Sequence, residues 1–441
     1  MRPRPAWHGD PAPAQRRALA ALRASLPAGQ EFTSVLADQV PRRSVSAVLP
    51  TWNRCPFSPA EHLADNPLYW AVTSLRAQAG NALGEIIVVD DGSTDHTREV
   101  VRLLAADHHP VPVRPVGCEG HWGAWRARNL GATAASSRLL YFGDDDCVFP
   151  PHTVAGAAYA LTLLRERDPT AAAVSTPFYY RGLGPGAVLP DRHIGTLDPG
   201  AGTFSTGFHA VPASYLDGHP PLLGGARLLM PLPVQLIGGT ALIDAGVLRA
   251  AGGFTDLSAW ASGYSDHLHL SAALTDAGAH LYHCPDPRLG AAHLKFGAAG
   301  AYPLDPAELN TVIGALGRPF GDLVTISAVP RTGTGHRLSD NDFFAEQIGS
   351  FFAFFASRSL SGAAAWAIRS WHEFARDGQV PTLAVAAVPG QGDRAQAWRD
   401  GLRIAATVLL THPDPPLDQP AVERLLREVT DACGQPEISG W

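Results

Sequence analysis

The sequence predicts an α/β protein built on a Rossmann-like, mostly parallel central sheet flanked by helices, with a mainly helical C-terminal extension. Two observations predict the sheet. Short β-branched or apolar runs recur at 44–50 (SVSAVLP), 85–91 (EIIVVDD), 111–116 (VPVRPV) and 138–146 (RLLYFGDDD). Helical segments separate them, at 67–79, from GSTD to near residue 106, and at 124–136, with a further helix at 151–167. Strands alternating with helices at this spacing imply βαβ units, whose crossovers make the strands parallel. A third observation predicts the extension: residues 340–441 carry mostly helical patterning, including 340–360 and 421–433.

The elements follow in order. Residues 1–43 read as a Pro/Arg/Ala-rich extension with a helix over 14–26, ended by Pro27 and Gly29. The run 44–50 stops at Pro50 and reads as the first strand. EIIVVDD is continuous and apolar until its two acids, the pattern of a strand covered on both faces. GSTD opens the next helix, with Ser93 or Thr94 placed to cap it. The fourth strand ends in three acids. Residues 181–230, rich in Gly and Pro and weakly periodic, read as a long excursion of the kind that carries binding loops. Residues 233–244 return to strand character, 265–277 read as a helix, and 280–284 as a strand. The layout is therefore an extension (1–43), an α/β domain (44–300) and a helical region (301–441), with no internal repeat.

Bulk properties exclude several classes. With 46% hydrophobic and 17% charged residues, the chain is globular rather than disordered. A formal net charge of −7 argues against a broad nucleic-acid surface, which needs basic groups to replace counterions. The five cysteines, Cys55, Cys118, Cys147, Cys284 and Cys433, are odd in number and form no CxxC pair. They read as scattered thiols of a reducing cytoplasm. No run reaches the roughly 18 apolar residues of a membrane helix; the nearest, 228–248, is interrupted by Pro231, Pro233 and Asp244. MRPRPAWHGD lacks the apolar stretch of a signal peptide. The expectation is a cytoplasmic chain with no integral membrane segment.

In parallel sheets ligands bind beyond the carboxyl ends of the strands. That edge carries Thr51, Trp52, Asn53 and Arg54, then Asp90 and Asp91, then Asp144, Asp145 and Asp146. Three adjacent carboxylates repel one another, and a hard divalent cation, Mn²⁺ or Mg²⁺, relieves that repulsion. Taken alone, a short acidic run more often simply faces water. Its context gives it weight.

SVSAVLPTWNR, EIIVVDDGSTDHT and ARNLGATAASSRLLYFGDDD occur in this order, followed by GGTALIDAGVLRAAGGF (238–254) and SGYSDHLHL (262–270). Together they resemble the inverting family 2 glycosyltransferases of the GT-A fold, over about residues 44–297. The resemblance implies that Pro50, Thr51, Asn53 and Arg54 contact the nucleotide and that Asp91 recognises the base. It implies that Arg128 faces the diphosphate. Asp144 and Asp146 would be the ends of the DxD signature, with Asp146 on the metal, Asp144 on the ribose or the metal, and Asp145 between them on the donor side. Gly239 and Thr240 would lie near the donor sugar, and His293 would add a metal ligand. Asp266 would be the base, although this chain has Ser265-Asp266 where many members have Glu-Asp. Structural alternatives stand beside these roles: a capping acid for Asp91 and for Asp266, a solvated helix arginine for Arg128, and a strand bulge at Gly238–Thr240.

The implied enzyme is a metal-dependent inverting hexosyl- or N-acetylhexosaminyl-transferase using a nucleotide diphosphate donor, with UDP-sugars favoured. Its acceptor would be a small molecule, peptide or glycan, and the Ala/Gly/Arg-rich composition suggests a bacterial specialised metabolite or peptide. A homo-oligomer is compatible with it; a nucleic-acid partner is not expected. Two other classes compete. A nucleotidyltransferase acting on a sugar phosphate would carry a Gly-rich loop after the first strand, where this chain has PTWNR. An inactive sugar- or nucleotide-binding module would not need Asp91, Asp144, Asp146 and Asp266 intact.

Overall fold

The computed structural model describes residues 29–55, 57–63, 66–181, 188–190, 195–198, 200, 203–206, 222–257, 266–293, 340–377, 394–412 and 415–438. The helix expected at 14–26, much of the excursion 181–230, and Ser265 lie outside them.

The main sheet has eight strands. In chain order these are β1 (Val45–Thr51), β2 (Leu83–Asp90), β3 (Val113–Gly117), β4 (Leu139–Phe142), β5 (Ala171–Ser175), β6 (Leu232–Val234), β7 (Ala241–Asp244) and β8 (His280–His283). They lie side by side in the order β6-β8-β5-β7-β4-β1-β2-β3. β1 is parallel to β2 and β4, and β2 is parallel to β3. β7 runs antiparallel between β4 and β5. The stretch 233–244, which reads as strand in the sequence, holds parts of two: β6 ends at Val234 and β7 begins at Ala241. Because β7 is reversed, its first residue, Ala241, stands opposite Phe142 at the end of β4. Gly239 and Thr240 therefore reach the edge where the parallel strands finish.

Besides the single turn Pro59–His62, the described α-helices are α1 (Gly29–Gln39), α2 (Pro67–Arg76), α3 (Thr97–Ala106), α4 (Ala124–Ala134), α5 (Thr153–Arg165), α6 (Ala245–Ala250) and α7 (Asp266–Asp276), then α8 (Asp340–Ala356), α9 (Leu360–Asp377), α10 (Arg394–Thr411) and α11 (Gln419–Ala432). Side-chain alternation divides the sheet between two cores. Val45, Ala47, Leu49, Ile86 and Val88 pack with residues of α1, α2, α3 and α5. Val48, Ile87, Val89, Leu140 and Phe142 pack with residues of α4, α6 and α7. Both faces are covered, which is why EIIVV reads as a continuous apolar run.

Residues before 44 contribute to this core. Phe32 and Leu36 of α1 are fully buried in it, and the Thr33 hydroxyl lies 2.7 Å from His152 Nε2. The C-terminal helices share a third core with the α/β layer. It joins Phe351, Phe352, Trp366 and Trp398 to Leu236, Leu257, Leu268 and Ala272. Across this junction His269 of α7 meets Phe354 edge-on at 5.1 Å, and Arg358 binds Asp276 with contacts of 3.2 and 2.7 Å. Burial holds the His269 imidazole down at about 4, so it is neutral in this apolar seam. Among the described residues no helix is long and apolar enough to cross a membrane. All five cysteines are free and buried.

Two buried acids at the opposite edge are structural. Asp244 caps α6 through Gly246 N–H (2.8 Å) and pairs with Arg138 and Arg165. Glu85 in β2 accepts from the Ser46 hydroxyl (2.7 Å), the Ser136 N–H (2.8 Å) and Arg114 (2.6 Å). Burial alone would raise the Glu85 carboxyl, but Arg114 and the serine donors outweigh it and lower it to about 2. A folded value below the unfolded one stabilises the protein above the unfolded value, and that stability is lost as pH falls through the folded one. The Glu85 contribution should therefore disappear between pH 4.5 and about 2. Glu85→Gln should cost about 1–3 kcal/mol in urea unfolding at pH 7, because it leaves buried donors short of a charged acceptor.

Candidate functional site

Three loops meet beyond the ends of β1, β2 and β4. Thr51, the last residue of β1, stands opposite Asp90, and its carbonyl accepts the Asp91 N–H at 2.9 Å. Pro50 lies inside β1 opposite Val89, one residue short of this edge. Asn53 adopts a left-handed backbone (φ +49°) and ties the first loop to the second. Its N–H donates to Ser93 Oγ at 2.9 Å, and its Oδ1 accepts the Thr94 N–H at 2.8 Å.

Asp90 and Asp91 are used differently. Asp90 accepts the Ser93 N–H at 3.0 Å and pairs with Arg98 at 2.6 Å. Asp95 accepts the Thr97 N–H at 2.9 Å just ahead of α3, whose N-cap residue, His96, makes no side-chain capping bond. Neither Ser93 nor Thr94 caps α3, which begins at Thr97. Asp91 is turned away from the helix toward the loop 118–123. It accepts the Trp122 N–H (2.9 Å) and the Gly123 N–H (2.8 Å), and the His121 ring nitrogen Nδ1 lies 2.8 Å from its Oδ2. The two loops touch closely: Gly92 (φ +76°) has no room for a Cβ, which would lie 2.4 Å from the Gly120 carbonyl carbon. His121 in turn stacks on Trp52 at 3.9 Å between ring centres, tilted by 16°.

The acidic turn after β4 holds Asp144, Asp145 and Asp146 against two arginines. Arg54 donates to Asp145 Oδ1 at 3.0 Å and lies 3.2 Å from Asp146 Oδ2. Burial pushes the Asp145 carboxyl up to about 6, with Arg54 opposing and Asp146 adding to the rise. Carboxylate oxygens of Asp144 and Asp146 and the Cys147 sulfur lie within 4.8 Å of one another.

Arg128 is the second arginine. Gly131 lets α4 lie against β1, since a Cβ there would stand 2.3 Å from Val48 Cγ1. Arg128, three residues earlier, shares that face and is turned inward. It is buried, contrary to the reading of a solvated helix arginine. One guanidinium nitrogen holds Asp144 at 2.9 Å, and the other holds Oδ2 of Asp266, the first residue of α7. Burial alone would raise the Asp266 carboxyl, but the Arg128 charge overrides it and holds the carboxyl below its usual range. The other Asp266 oxygen, Oδ1, lies 3.6 Å from His267 Nδ1. Acids separated by more than 120 positions in the sequence are thereby joined through one side chain.

Gly239 approaches Asp144, whose Oδ2 would lie 3.6 Å from a Cβ placed there. It sits in the bend before β7, not in a strand bulge. Thr240 is fully buried and faces inward, within 3.1 Å of the Thr176 hydroxyl, which lies 3.2 Å from Tyr141 Oη. That network supports the turn from below. The His293 backbone pairs with Cys147, next to Asp146, in a small separate sheet.

Every residue singled out in the sequence thus lies on or directly behind one edge of the fold. Three neighbours of the site had drawn no role from the sequence: Trp52, His121 and Cys147. Cys147 adjoins the DDD run, and GHWG carries a histidine and a tryptophan between glycines; neither pattern names a partner by itself.

Comparison with known proteins finds a family match for part of the chain. The family model for glycosyl transferase family 2 matches residues 46–188. The match takes in β1 to β5 and the acids to Asp146, and leaves out Asp266 and His293. An uncharacterised glycosyltransferase of Nostoc sp. is 37% identical over 82 residues, 19% of this chain and 24% of that protein. The chain thus aligns with about a quarter of this relative's length. Solved structures are more distant. GalNAc-T7 with UDP, GalNAc and Mn²⁺ gives a TM-score of 0.43 at 15% identity, covering 68% of this chain and 56% of that one. A Pyrobaculum calidifontis mannosyltransferase with GDP-Man and Mn²⁺ gives 0.40 at 15% identity, covering 96% and 97%. TarS of S. aureus with UDP-GlcNAc gives 0.43 at 13% identity, covering 88% and 89%. No residue role is transferred at these scores. Residues 46–188, the part of the mostly parallel sheet from β1 to β5 with the acidic turn, are thus what this chain shares with glycosyl transferase family 2.

Proposed function

We propose that the chain transfers a sugar, with inversion, from a nucleoside diphosphate donor to an acceptor hydroxyl, with Asp266 as the base. The observation that supports this most is the Arg128 bridge between Asp144 and Asp266. It sets a donor-side acid and a candidate base on the two ends of one guanidinium.

In this reading the base meets Asp91, and the loop 51–54 borders the ribose and phosphates. The acceptor oxygen attacks the anomeric carbon as the bond to the diphosphate breaks on the opposite face. Its proton passes to Asp266 Oδ1, the oxygen that Arg128 leaves open. Arg128 keeps Asp266 ionised and therefore ready to accept that proton.

The acidic turn fits a divalent ion. Two carboxylates in reach of each other are hard donors suited to Mn²⁺ or Mg²⁺, and the Cys147 sulfur beside them is softer, which favours Mn²⁺. Asp144 and Asp146 would hold the ion, with His293 as a further ligand from the paired strand. Such an ion would take up the charge of the departing diphosphate. Arg54 would remain on Asp145, the middle acid. A UDP-sugar is the favoured donor, and the acceptor is a small molecule, peptide or glycan.

The first test is thermal shift with UDP and Mn²⁺; no response to any nucleoside diphosphate with metal overturns the reading. Asp266→Asn should spare donor binding and slow transfer by about 10² or more. Asp146→Ala should remove metal-dependent UDP binding, and His293→Ala should raise the Mn²⁺ concentration needed for it. Arg128→Leu should cost about 3–5 kcal/mol in urea unfolding, because it strands two partly or fully buried carboxylates. Asp145 titrates at about 6, and a bound cation favours its ionised form. Mn²⁺ binding should therefore release protons near pH 6 and release fewer at pH 8. Calorimetry in buffers of different ionisation enthalpy measures this difference.

A further inference from the structure

We infer that His121 is an intramolecular stand-in for the nucleobase, occupying the base position until the donor displaces it. This rests on the nucleotide reading of the site and concerns how that site is filled before the donor arrives.

Two contacts carry the inference. The His121 imidazole lies flat on Trp52, with ring centres 3.9 Å apart and a 16° tilt. Its Nδ1 stands 2.8 Å from Asp91 Oδ2. A planar base with a ring N–H, such as uracil, would make the same pair of contacts: a stack on an aromatic face and an N–H donated to a carboxylate. Asp91 Oδ2 also accepts the Gly123 N–H at 2.8 Å. An oxygen with two lone-pair sites is then filled. A base seeking this oxygen must replace the imidazole.

The loop is built to let it go. Gly120 (φ +94°) and Gly123 (φ +97°) bracket His121 and Trp122 with backbone conformations open to glycine. The His121 side chain is 42% exposed, so it can swing into water without leaving a buried group unpaired. The Trp122 and Gly123 N–H groups stay on Asp91 and keep its carboxylate oriented while the imidazole leaves. Trp122 itself is largely exposed beneath Arg126, whose guanidinium carbon lies 3.9 Å from the ring centre.

Occupation by a stand-in weakens apparent affinity by the fraction of molecules that are open. His121→Ala in the full chain should therefore bind UDP with Mn²⁺ about three- to tenfold more tightly than the parent chain. Uridine without metal should show the same direction of change, because the effect belongs to the base position and not to the phosphates. Unchanged or weaker binding would overturn the inference, the weaker result making His121 a part of the base platform. A readout free of ligand separates this from the nucleotide reading. His121→Ala should alter tryptophan emission in the parent chain and leave it unaltered in the Trp52→Phe background. No emission change in the parent chain means that the stack is absent in solution, and the inference falls. An emission change with no UDP binding by either protein would refute the nucleotide reading and the stand-in role with it.

Discussion

Arg128 is the charge around which the site is arranged. A guanidinium buried at the end of a sheet needs anions, and here it has two, Asp144 from the turn after β4 and Asp266 from the start of α7. Removing such a charge from water is costly unless its partners are close and well aligned. The bridge therefore fixes three elements relative to one another: α4, the acidic turn and α7. Gly131 contributes by allowing α4 to press against β1, so that the inward face of the helix points at the edge of the sheet.

The same economy of charge runs along the edge. Arg54 is shared by Asp145 and Asp146, and Arg128 by Asp144 and Asp266. Four carboxylates are thus set against two arginines, an arrangement that remains electron-rich and suits a cation. In the proposed transfer, the shared arginines would divide the labour: one orders the acids near the donor phosphates, and the other keeps the base ionised. The helical region participates through α7. Leu268 and Ala272 lie in its core, so the helix that begins at Asp266 is clamped between the sheet and the C-terminal bundle.

Much of the scaffold was legible because it depends on local pattern. EIIVVDD announced a strand buried on both faces, and the spacing of apolar runs announced parallel crossovers. Where the reading departed from the structure, the cause was tertiary. The stretch 233–244 has strand character at both ends, but it divides between two strands because β6 pairs with β8 and β7 pairs with β4 and β5. The helix Gly29–Gln39 is short and weakly patterned, and its place in the core depends on the His152 and Phe32 contacts that only folding supplies.

The sequence by itself determined the class of the domain and the sheet edge at which polar groups gather, because strand polarity and periodicity are written in consecutive residues. It also placed Asp91, Asp144, Asp146 and Asp266 on its list of acids for the site. The partner of each acid was decided by the tertiary structure. Asp90 turned to Ser93 and Arg98 and Asp91 to the loop 118–123; Arg128 joined acids far apart in the chain; and His121 came to rest on Trp52 and Asp91. Such pairings depend on the separation of groups from different loops, and a charge or a ring does not carry its distant neighbour in its own position along the chain.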